Sequence, residues 1–170
     1  GLSEAVARQQ TSLALSWKAL NAADVPLLTA VLPHANALES LDLRHNKLGD
    51  EGAVALAAGL RHASKTLRTL RLARNGITDR GGAAIGAYLA DAKASAGLAS
   101  LELSLNAIRD DKAIGAALAT NTGLTNLDLS SNALRTGHAI AAALGRNRTL
   151  THAHLLFNRL DVASAAALAD

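Results

Sequence analysis

An eleven-residue pattern, repeated along the chain, restricts the possible fold more than any other feature of this sequence. The pattern, which we call the box, is L-x-x-L-x-L-x-x-N-x-L with an aliphatic residue at its last position, and residues 124–134 (LTNLDLSSNAL) match it throughout. Four more segments match, with Ala153 as the one departure: 38–48, 67–77, 98–108 and 150–160. Successive boxes therefore begin 29, 31, 26 and 26 residues apart. Recurrence at such periods is typical of repeat proteins, whose units stack to build one continuous core.

Each box indicates a short strand, and the residues after it indicate a helix. Two leucines that flank a single residue, such as Leu127 and Leu129 around Asp128, point to one side of a strand while the residue between them points to the other. Alanine-rich runs with apolar residues at helical spacing follow the boxes, as in 53–60 (AVALAAGL). The sequence therefore predicts an α/β fold.

This combination resembles the leucine-rich repeat family, and the repeat lengths with their helical second halves resemble its ribonuclease-inhibitor-like subclass. That subclass also supplies the repeats of NOD-like receptors and the catalytic domain of the Ran GTPase-activating protein. The resemblance runs from Leu13 to the C-terminus. It implies a leucine-rich repeat solenoid, a curved horseshoe segment with a parallel inner sheet and outer helices. The chain has no cysteine, which departs from the subclass, where cysteine often replaces the asparagine.

The spacing predicts a single leucine-rich repeat domain over residues 1–170, with a degenerate repeat before five clear ones. Leu13, Leu15 and Leu20 match three leucines of the box, whereas Lys18 stands where asparagine is expected. Terminal repeats are often atypical in this way because they cap the array. The predicted divisions are a lead-in with a capping repeat and then the five repeats: 1–37, 38–66, 67–97, 98–123, 124–149 and 150–170.

The box asparagines are predicted to be structural. The resemblance implies that each amide is buried, bonds backbone groups of the turn, and forms a ladder with its copies in neighbouring repeats. Buried backbone groups need such partners. The predicted ladder consists of Asn46, Asn75, Asn106, Asn132 and Asn158.

Polar residues four positions after a box asparagine are predicted to cap the helix that follows. They are Asp50, Asp79, Asp110 and Thr136. Such residue types accept hydrogen bonds from the free N–H groups of a first helical turn. In the last repeat, Asp161 is one residue early. Two insertions, 62–66 and 91–97, are predicted to be mobile surface loops.

The residues that point away from the core should form columns, because neighbouring strands lie about 4.8 Å apart. The column between the strand leucines reads Ala14, Asp42, Arg71, Glu102, Asp128 and His154. We call this concave side of the sheet the strand face, and we expect a protein partner to bind there. The predicted contact residues are Asp42, Arg44, Arg71, Glu102, Asp128, His152, His154, Leu156 and Phe157.

The last strand leaves two interpretations open for its residues. His152 and His154 share one side of the strand, one strand from Asp128, which is a set able to hold a divalent metal. The simpler interpretation is that the histidines face water, and we predict no metal site. Phe157 is either an apolar anchor for a partner or a side chain that packs on the preceding turn and fills the gap at Ala153.

Composition and motifs argue against several other functions. The absence of cysteine excludes disulfides and thiolate chemistry. The net charge is only +3, and one tryptophan, one tyrosine and one phenylalanine are too few for a base-stacking surface. No run has the length and apolarity of a membrane span, and the common nucleotide-binding, hydrolase and metalloprotease motifs do not occur. We therefore expect no enzyme, no cofactor, and neither nucleic acid nor membrane as a partner.

The expected function is a protein–protein interaction module, a scaffold or recognition domain within a larger intracellular, cytoplasmic protein. Because the chain contains no methionine, we expect the native N-terminus to be missing, and any signal peptide would lie outside this sequence. The open C-terminal end predicts a monomer or a weak dimer.

Three alternatives stay open. One is a regulator of another enzyme, a GTPase activator or an inhibitor-like binder, because the Ran-activating relatives use an arginine on a repeat loop and Arg74 or Arg44 invites comparison. Another is a fragment of a bacterial effector that resembles the GALA type, whose repeats carry phrases similar to residues 52–60 (GAVALAAGL). Those repeats are shorter, and no F-box segment is present. The last is a spacer between other domains.

Overall fold

The computed structural model describes residues 10–62 and 65–169. In this part of the chain, six short strands alternate with helices and pair in chain order into one parallel sheet. The strands are β1 (Ser12–Ala14), β2 (Ser40–Asp42), β3 (Thr69–Arg71), β4 (Ser100–Glu102), β5 (Asn126–Asp128) and β6 (His152–His154). The fold is the α/β leucine-rich repeat solenoid that the box predicts. Residues 1–9, the first part of the lead-in and capping repeat predicted over 1–37, lie outside the described residues.

A helix follows each strand and returns the chain to the start of the next one. The helices are α1 (Val25–Val31), α2 (Gly49–Leu60), α3 (Asp79–Ala90), α4 (Lys112–Leu118), α5 (His138–Leu144) and α6 (Val162–Ala169). Short 3-10 turns, Ala22–Asp24 and Leu32–His34, flank α1. None of these helices of the described chain is long and apolar enough to cross a membrane.

The aliphatic residues of the boxes fill the core between the sheet and the helices. In the four boxes from residue 38 to residue 134, each of these side chains is at most 5% exposed. Burial of one large apolar side chain stabilises a fold by about 1.5–3 kcal/mol, so the boxes supply the main stabilising term. Leu13 in the first repeat and Leu155 in the last are only partly buried, because an end repeat packs on one neighbour.

Three of the four predicted helix caps are wrong, and at two of these positions the carboxylate reaches the next repeat and not its own helix. Asp50 lies inside the first turn of α2, and it accepts hydrogen bonds from the backbone N–H groups of Thr78 and Gly81 at the start of α3, at 2.7 and 2.9 Å. Asp79 likewise accepts from two N–H groups in the turn before α4. The prediction that Asp50 and Asp79 cap their own helices is therefore wrong.

Asp111 continues this arrangement in the next repeat. Asp111 is 1% exposed, and its carboxylate accepts hydrogen bonds from two N–H groups in the first turn of α5, at 2.9 and 3.1 Å. Thr136 does not cap α5, since its hydroxyl donates to Asp111. Asp110 accepts from the first N–H group of its own helix, and Asp161 accepts from an N–H group in the first turn of α6. The carboxylates of Asp50, Asp79 and Asp111 thus connect successive repeats.

The insertion at 91–97 is anchored to the core, in contrast to the predicted mobile loop. Ser95 is fully buried, and its hydroxyl donates to the carbonyl groups of Leu89 and Asp91 at 2.9 and 3.0 Å. The insertion at 62–66 includes residues 63 and 64, which lie outside the described residues, so its prediction stays a prediction.

Candidate interaction surface

Strand pairing aligns the outward-pointing residues of the sheet into columns that make up the strand face. The central column runs in register through Ala14, Asp42, Arg71, Glu102, Asp128 and His154. Within this column only Asp42 is buried, and the other side chains are partly or fully exposed. The strand face therefore presents a row of charged groups to solvent.

Asp42 is bound to the neighbouring Arg44. The guanidinium Nε and Nη2 of Arg44 donate to the two carboxylate oxygens of Asp42 at 3.0 and 2.7 Å, and Asp42 is 8% exposed. These hydrogen bonds hold the pKa of Asp42 below its usual value of 3.8. Asp42 therefore positions Arg44 on the strand face and offers no free carboxylate of its own.

Glu102 lies between two arginines and another carboxylate. Its Oε2 is 3.8 Å from Nε of Arg71 and 4.0 Å from Nη1 of Arg44. Arg71 also donates to the hydroxyl of Ser40 at 3.1 Å. Burial raises the pKa of Glu102 above its usual value of 4.5, and the nearby negative charge of Asp128 raises it further. The positive charges of Arg44 and Arg71 act in the opposite direction. The charge of Glu102 is thus only partly compensated.

Asp128 has hydrogen-bond donors but no counter-ion. The backbone N–H of Ser130 donates to its carboxylate at 2.8 Å, and the Ser130 hydroxyl donates to the same oxygen. Among residues 10–62 and 65–169, no ion pair includes Asp128. Its negative charge is therefore available to a cation from outside.

The two histidines of β6 lie at the edge of the sheet and are exposed. Nδ1 of His152 is 2.9 Å from the hydroxyl of Thr151. In the part of the chain that the structure describes, no group of three or more histidine, cysteine or carboxylate side chains is placed to hold a metal ion. His152 and His154 are thus accessible to solvent or to a partner.

Leu156 and Phe157 are exposed beyond β6, at 68% and 82%. The interpretation that Phe157 packs on the preceding turn and fills the gap at Ala153 is therefore wrong. Ala153 is itself exposed, so no closed gap exists there. The two side chains form an apolar patch at this end of the strand face.

A row of residues in the left-handed backbone conformation borders the strand face. Each stands directly before the asparagine position of its repeat, with φ between 53° and 59°. We call this the border row: Trp17, His45, Arg74, Leu105, Ser131 and Phe157. The ring of Trp17 stacks on that of His45 with centroids 3.8 Å apart. Such a φ is uncommon for residues other than glycine. The left-handed conformation could not be predicted from residue type, because the six side chains share no chemical property.

The box asparagines bond backbone groups of two repeats at once. The side-chain NH₂ of Asn132 donates to the carbonyl groups of Leu103 and Leu129, both at 3.0 Å, and its Oδ1 accepts from the N–H of Ile108 at 3.1 Å. Corresponding contacts to their own and the preceding repeat are made by Asn46, Asn75, Asn106 and Asn158. Each of these asparagines therefore links two repeats.

Two further asparagines, which were not predicted as structural, act in a similar way between the end of a helix and the next box. The side-chain NH₂ of Asn121 donates to the carbonyl of Leu89 and the hydroxyl of Ser95, and its Oδ1 accepts from the N–H of Leu124. Asn147 makes equivalent bonds one repeat later. A signal was present, since both asparagines and Ser95 stand three residues before the first leucine of a box.

Comparison with known proteins agrees with this architecture. The family profile described as "Leucine Rich repeat" matches two segments of the chain, residues 34–57 and 63–86. These matches lie in the second and third repeats and agree with the leucine-rich repeat fold of the structure. Comparison with curated protein sequences finds no match.

Two solved structures are similar to this chain. One is described as "Leiomodin-1 Actin-Binding Site 2 (ABS2)", with a TM-score of 0.53 and 20% identity, over 95% of this chain and 80% of that chain. The other is the C-terminal domain of tropomodulin from Caenorhabditis elegans, with a TM-score of 0.64 and 16% identity, over 81% of this chain and 84% of that chain. At such identities the similarity concerns the fold alone.

Proposed function

We propose that this protein is an interaction module that binds a protein partner through the strand face. The observation that carries the proposal is the six-stranded sheet in register, whose outward side chains in the central column, apart from Asp42, stay accessible while the box leucines fill its other side. Six strands span about 24 Å at the usual strand spacing. An open surface of this width suits a protein, because small molecules bind mostly in enclosed clefts.

The proposed contact residues divide into a charged centre and an apolar end. They are Arg44, Arg71, Glu102, Asp128, His152, His154, Leu156 and Phe157, with Asp42 acting through Arg44. Charged side chains on such a surface select a partner of complementary charge. Exposed apolar side chains such as Leu156 and Phe157 supply the anchors that carry most of the binding energy in protein interfaces.

The comparisons support a protein as the partner. The similar leiomodin-1 structure is described as an actin-binding site, so a solenoid of this fold serves there as a protein-binding surface. Actin is accordingly the first defined protein to test. We also propose membership of the ribonuclease-inhibitor-like subclass, because α2 and α3 are full helices of 12 residues each, and a single domain over residues 1–170.

A pull-down from cell extract tests the proposal. The wild type is compared with a strand-face variant that carries Arg71→Glu and Asp128→Lys, and a parallel arm uses purified actin. The matched control carries Arg80→Glu and Asp110→Lys, which reverse one positive and one negative charge at exposed positions outside the strand face. We expect a partner that the wild type and the control retain and the strand-face variant loses. Equal retention by all three proteins would contradict the proposal.

A further inference from the structure

The C-terminal part of the border row has a small residue between two large, exposed apolar ones. Leu105 is 43% exposed and Phe157 is 82% exposed, and Ser131 lies between them. The order is fixed by the backbone, since the N–H of Leu105 donates to the carbonyl of Ser130 and the N–H of Ser131 donates to that of Leu156. At the usual strand spacing, the backbones of Leu105 and Phe157 lie about 10 Å apart. Ser131 has a short side chain, so the larger apolar residues Leu105 and Phe157 flank a small one in this row. We call these three residues, with the exposed Leu156, the notch.

Leu105, Ser131 and Phe157 of the notch lie on a strained backbone. The φ angle is +57° at both Leu105 and Phe157 and +53° at Ser131. A left-handed conformation is unfavourable for a residue other than glycine. Exposed side chains recover little of this cost by burial, and glycine would relieve it. Large apolar side chains at these positions therefore favour a role in binding over a role in stability.

A carboxylate without a counter-ion lies near the notch. Asp128 precedes Ser131 by three residues, about 10 Å along an extended chain. Its neighbour in register is Glu102, whose arginine partners, Arg44 and Arg71, lie on the side away from Asp128. In the described ranges, 10–62 and 65–169, Asp128 forms no ion pair. Like charges on adjacent strands repel each other, and a cation beside Asp128 would reduce this repulsion.

We propose that the notch receives a large apolar side chain of the protein partner, while an adjacent lysine or arginine of the same partner segment pairs with Asp128. This inference rests on the proposed function and states the chemistry of its partner, a polypeptide segment with an aliphatic or aromatic residue beside a basic one. Leu105 and Phe157 enclose the apolar residue, and Asp128 attracts the basic one. Because Glu102 and Asp128 repel negative charge, acidic segments are excluded.

A random peptide library displayed on phage, selected on the immobilised 170-residue chain, tests this proposal. We expect the enriched peptides to carry a large apolar residue beside a lysine or arginine. As synthetic peptides they should bind the variants Phe157→Ser and Asp128→Asn at least about tenfold more weakly than the wild type. Both changes are at accessible side chains, and equal unfolding free energies of the variants would show that the fold is kept.

Two matched variants control for loss of any exposed aromatic residue or any carboxylate. Trp17→Ser removes the exposed aromatic side chain at the opposite end of the border row, and Glu51→Gln removes a carboxylate in the first turn of α2. Both variants should bind the selected peptides as the wild type does.

Enrichment of acidic peptides, or of none, would overturn the proposal, and so would equal binding to the wild type and Phe157→Ser. Peptides that are lost on Arg71→Ser but not on Phe157→Ser would move the contact to the other half of the strand face. That result would rule out the notch as the binding site for the apolar side chain, and it would leave the proposed function of the strand face intact. Peptides that bind all strand-face variants as tightly as the wild type would contradict both the notch proposal and the proposed function.

Discussion

Single polar side chains join each repeat of this protein to the next. Asn132 bonds backbone groups of its own repeat and of the preceding one, while Asp111 bonds the first turn of the following helix. The asparagine position of the first repeat is occupied by Lys18, where the described chain has no earlier strand for an amide to reach. Because these side chains serve two repeats, their loss should weaken the interfaces on which a stacked array depends.

Replacement of Asn132 by alanine should lower the free energy of unfolding by about 1–3 kcal/mol, because buried carbonyl and N–H groups of two repeats lose their partner. Chemical denaturation of the purified protein measures this change. The control is Asn126→Ala in the same repeat, whose amide is partly exposed and bonds only Thr125 among side chains, and it should stay within about 0.5 kcal/mol of the wild type. Equal effects of the two substitutions would rule out the linking role of Asn132.

Two carboxyl groups of the strand face should affect stability in opposite directions. The folded-state pKa of Asp42 is lowered, so its carboxylate stabilises the fold above pH 3.8, and this contribution is lost as the pH falls through the folded pKa. The folded-state pKa of Glu102 is raised, so its carboxylate opposes folding above that pKa, and the penalty disappears at lower pH.

At neutral pH, Asp42→Asn should therefore destabilise the protein and Glu102→Gln should stabilise it. The difference made by Glu102→Gln should disappear as the pH falls below 4.5, where the carboxyl group is protonated in both the folded and the unfolded protein. The difference made by Asp42→Asn should begin to shrink only below pH 3.8, because the lowered pKa keeps Asp42 ionised longer in the folded protein. Urea unfolding across this pH range measures them. Destabilisation by Glu102→Gln at neutral pH would show that its contacts with the two arginines outweigh its burial.

The spacing of the box is enough to locate the columns of the strand face, but it does not tell which of their side chains pair. Asp42 and Arg44 are two residues apart on one side of a strand, and the same spacing permits both to face a partner. Their pairing depends on rotamers and local burial, neither of which is encoded in the repeat pattern. The exposure of Phe157 was undecided for the same reason, since the pattern does not specify how a side chain outside the core packs.

At the level of helices and strands, the alternation and the parallel order of six strands were predicted and are confirmed. Three of the four helix caps were predicted wrongly. At Asp50 and Asp79 the reason is that a carboxylate four residues after the asparagine has two sets of N–H groups within reach. Asp50 lies within the first turn of its own helix and beside the start of α3. The distance between stacked repeats decides between these sets, and that distance follows from the packing of small residues between helices.

Gly115 provides a test of how closely the helices pack. A Cβ at this position would lie 2.5 Å from the backbone carbonyl carbon of Ala139 in α5, so Gly115→Ala should destabilise the protein by about 1–3 kcal/mol although alanine favours helices. Gly145, at the end of α5, has φ −60° and only ordinary contacts for a Cβ. Gly145→Ala should therefore stabilise by about 0.4–1 kcal/mol. Thermal and urea unfolding distinguish the two variants, and stabilisation by both would contradict the packing argument.

Across the whole molecule, the strand face changes in character from one end of the sheet to the other. Arg44 and Arg71 lie toward the N-terminal side, whereas Asp128, Leu156 and Phe157 lie toward the C-terminal side. Under the proposed function, a surface with this polarity specifies the orientation of a partner as well as its binding, since reversal would bring like charges together. The repeats hold these side chains in place, and the proposed function assigns recognition to the residues between the box leucines.

Hydrogen exchange of the chain with and without the partner recovered by pull-down is the measurement that tests the role of the strand face most directly. The proposed function predicts slower exchange of backbone amides over residues 126–131 and 152–158, where the strands and the border row meet the partner. It also predicts unchanged exchange in α2, α3 and α4, which lie outside the strand face. Protection confined to these helices would show that the partner binds the opposite side, and the account of the strand face would then be wrong.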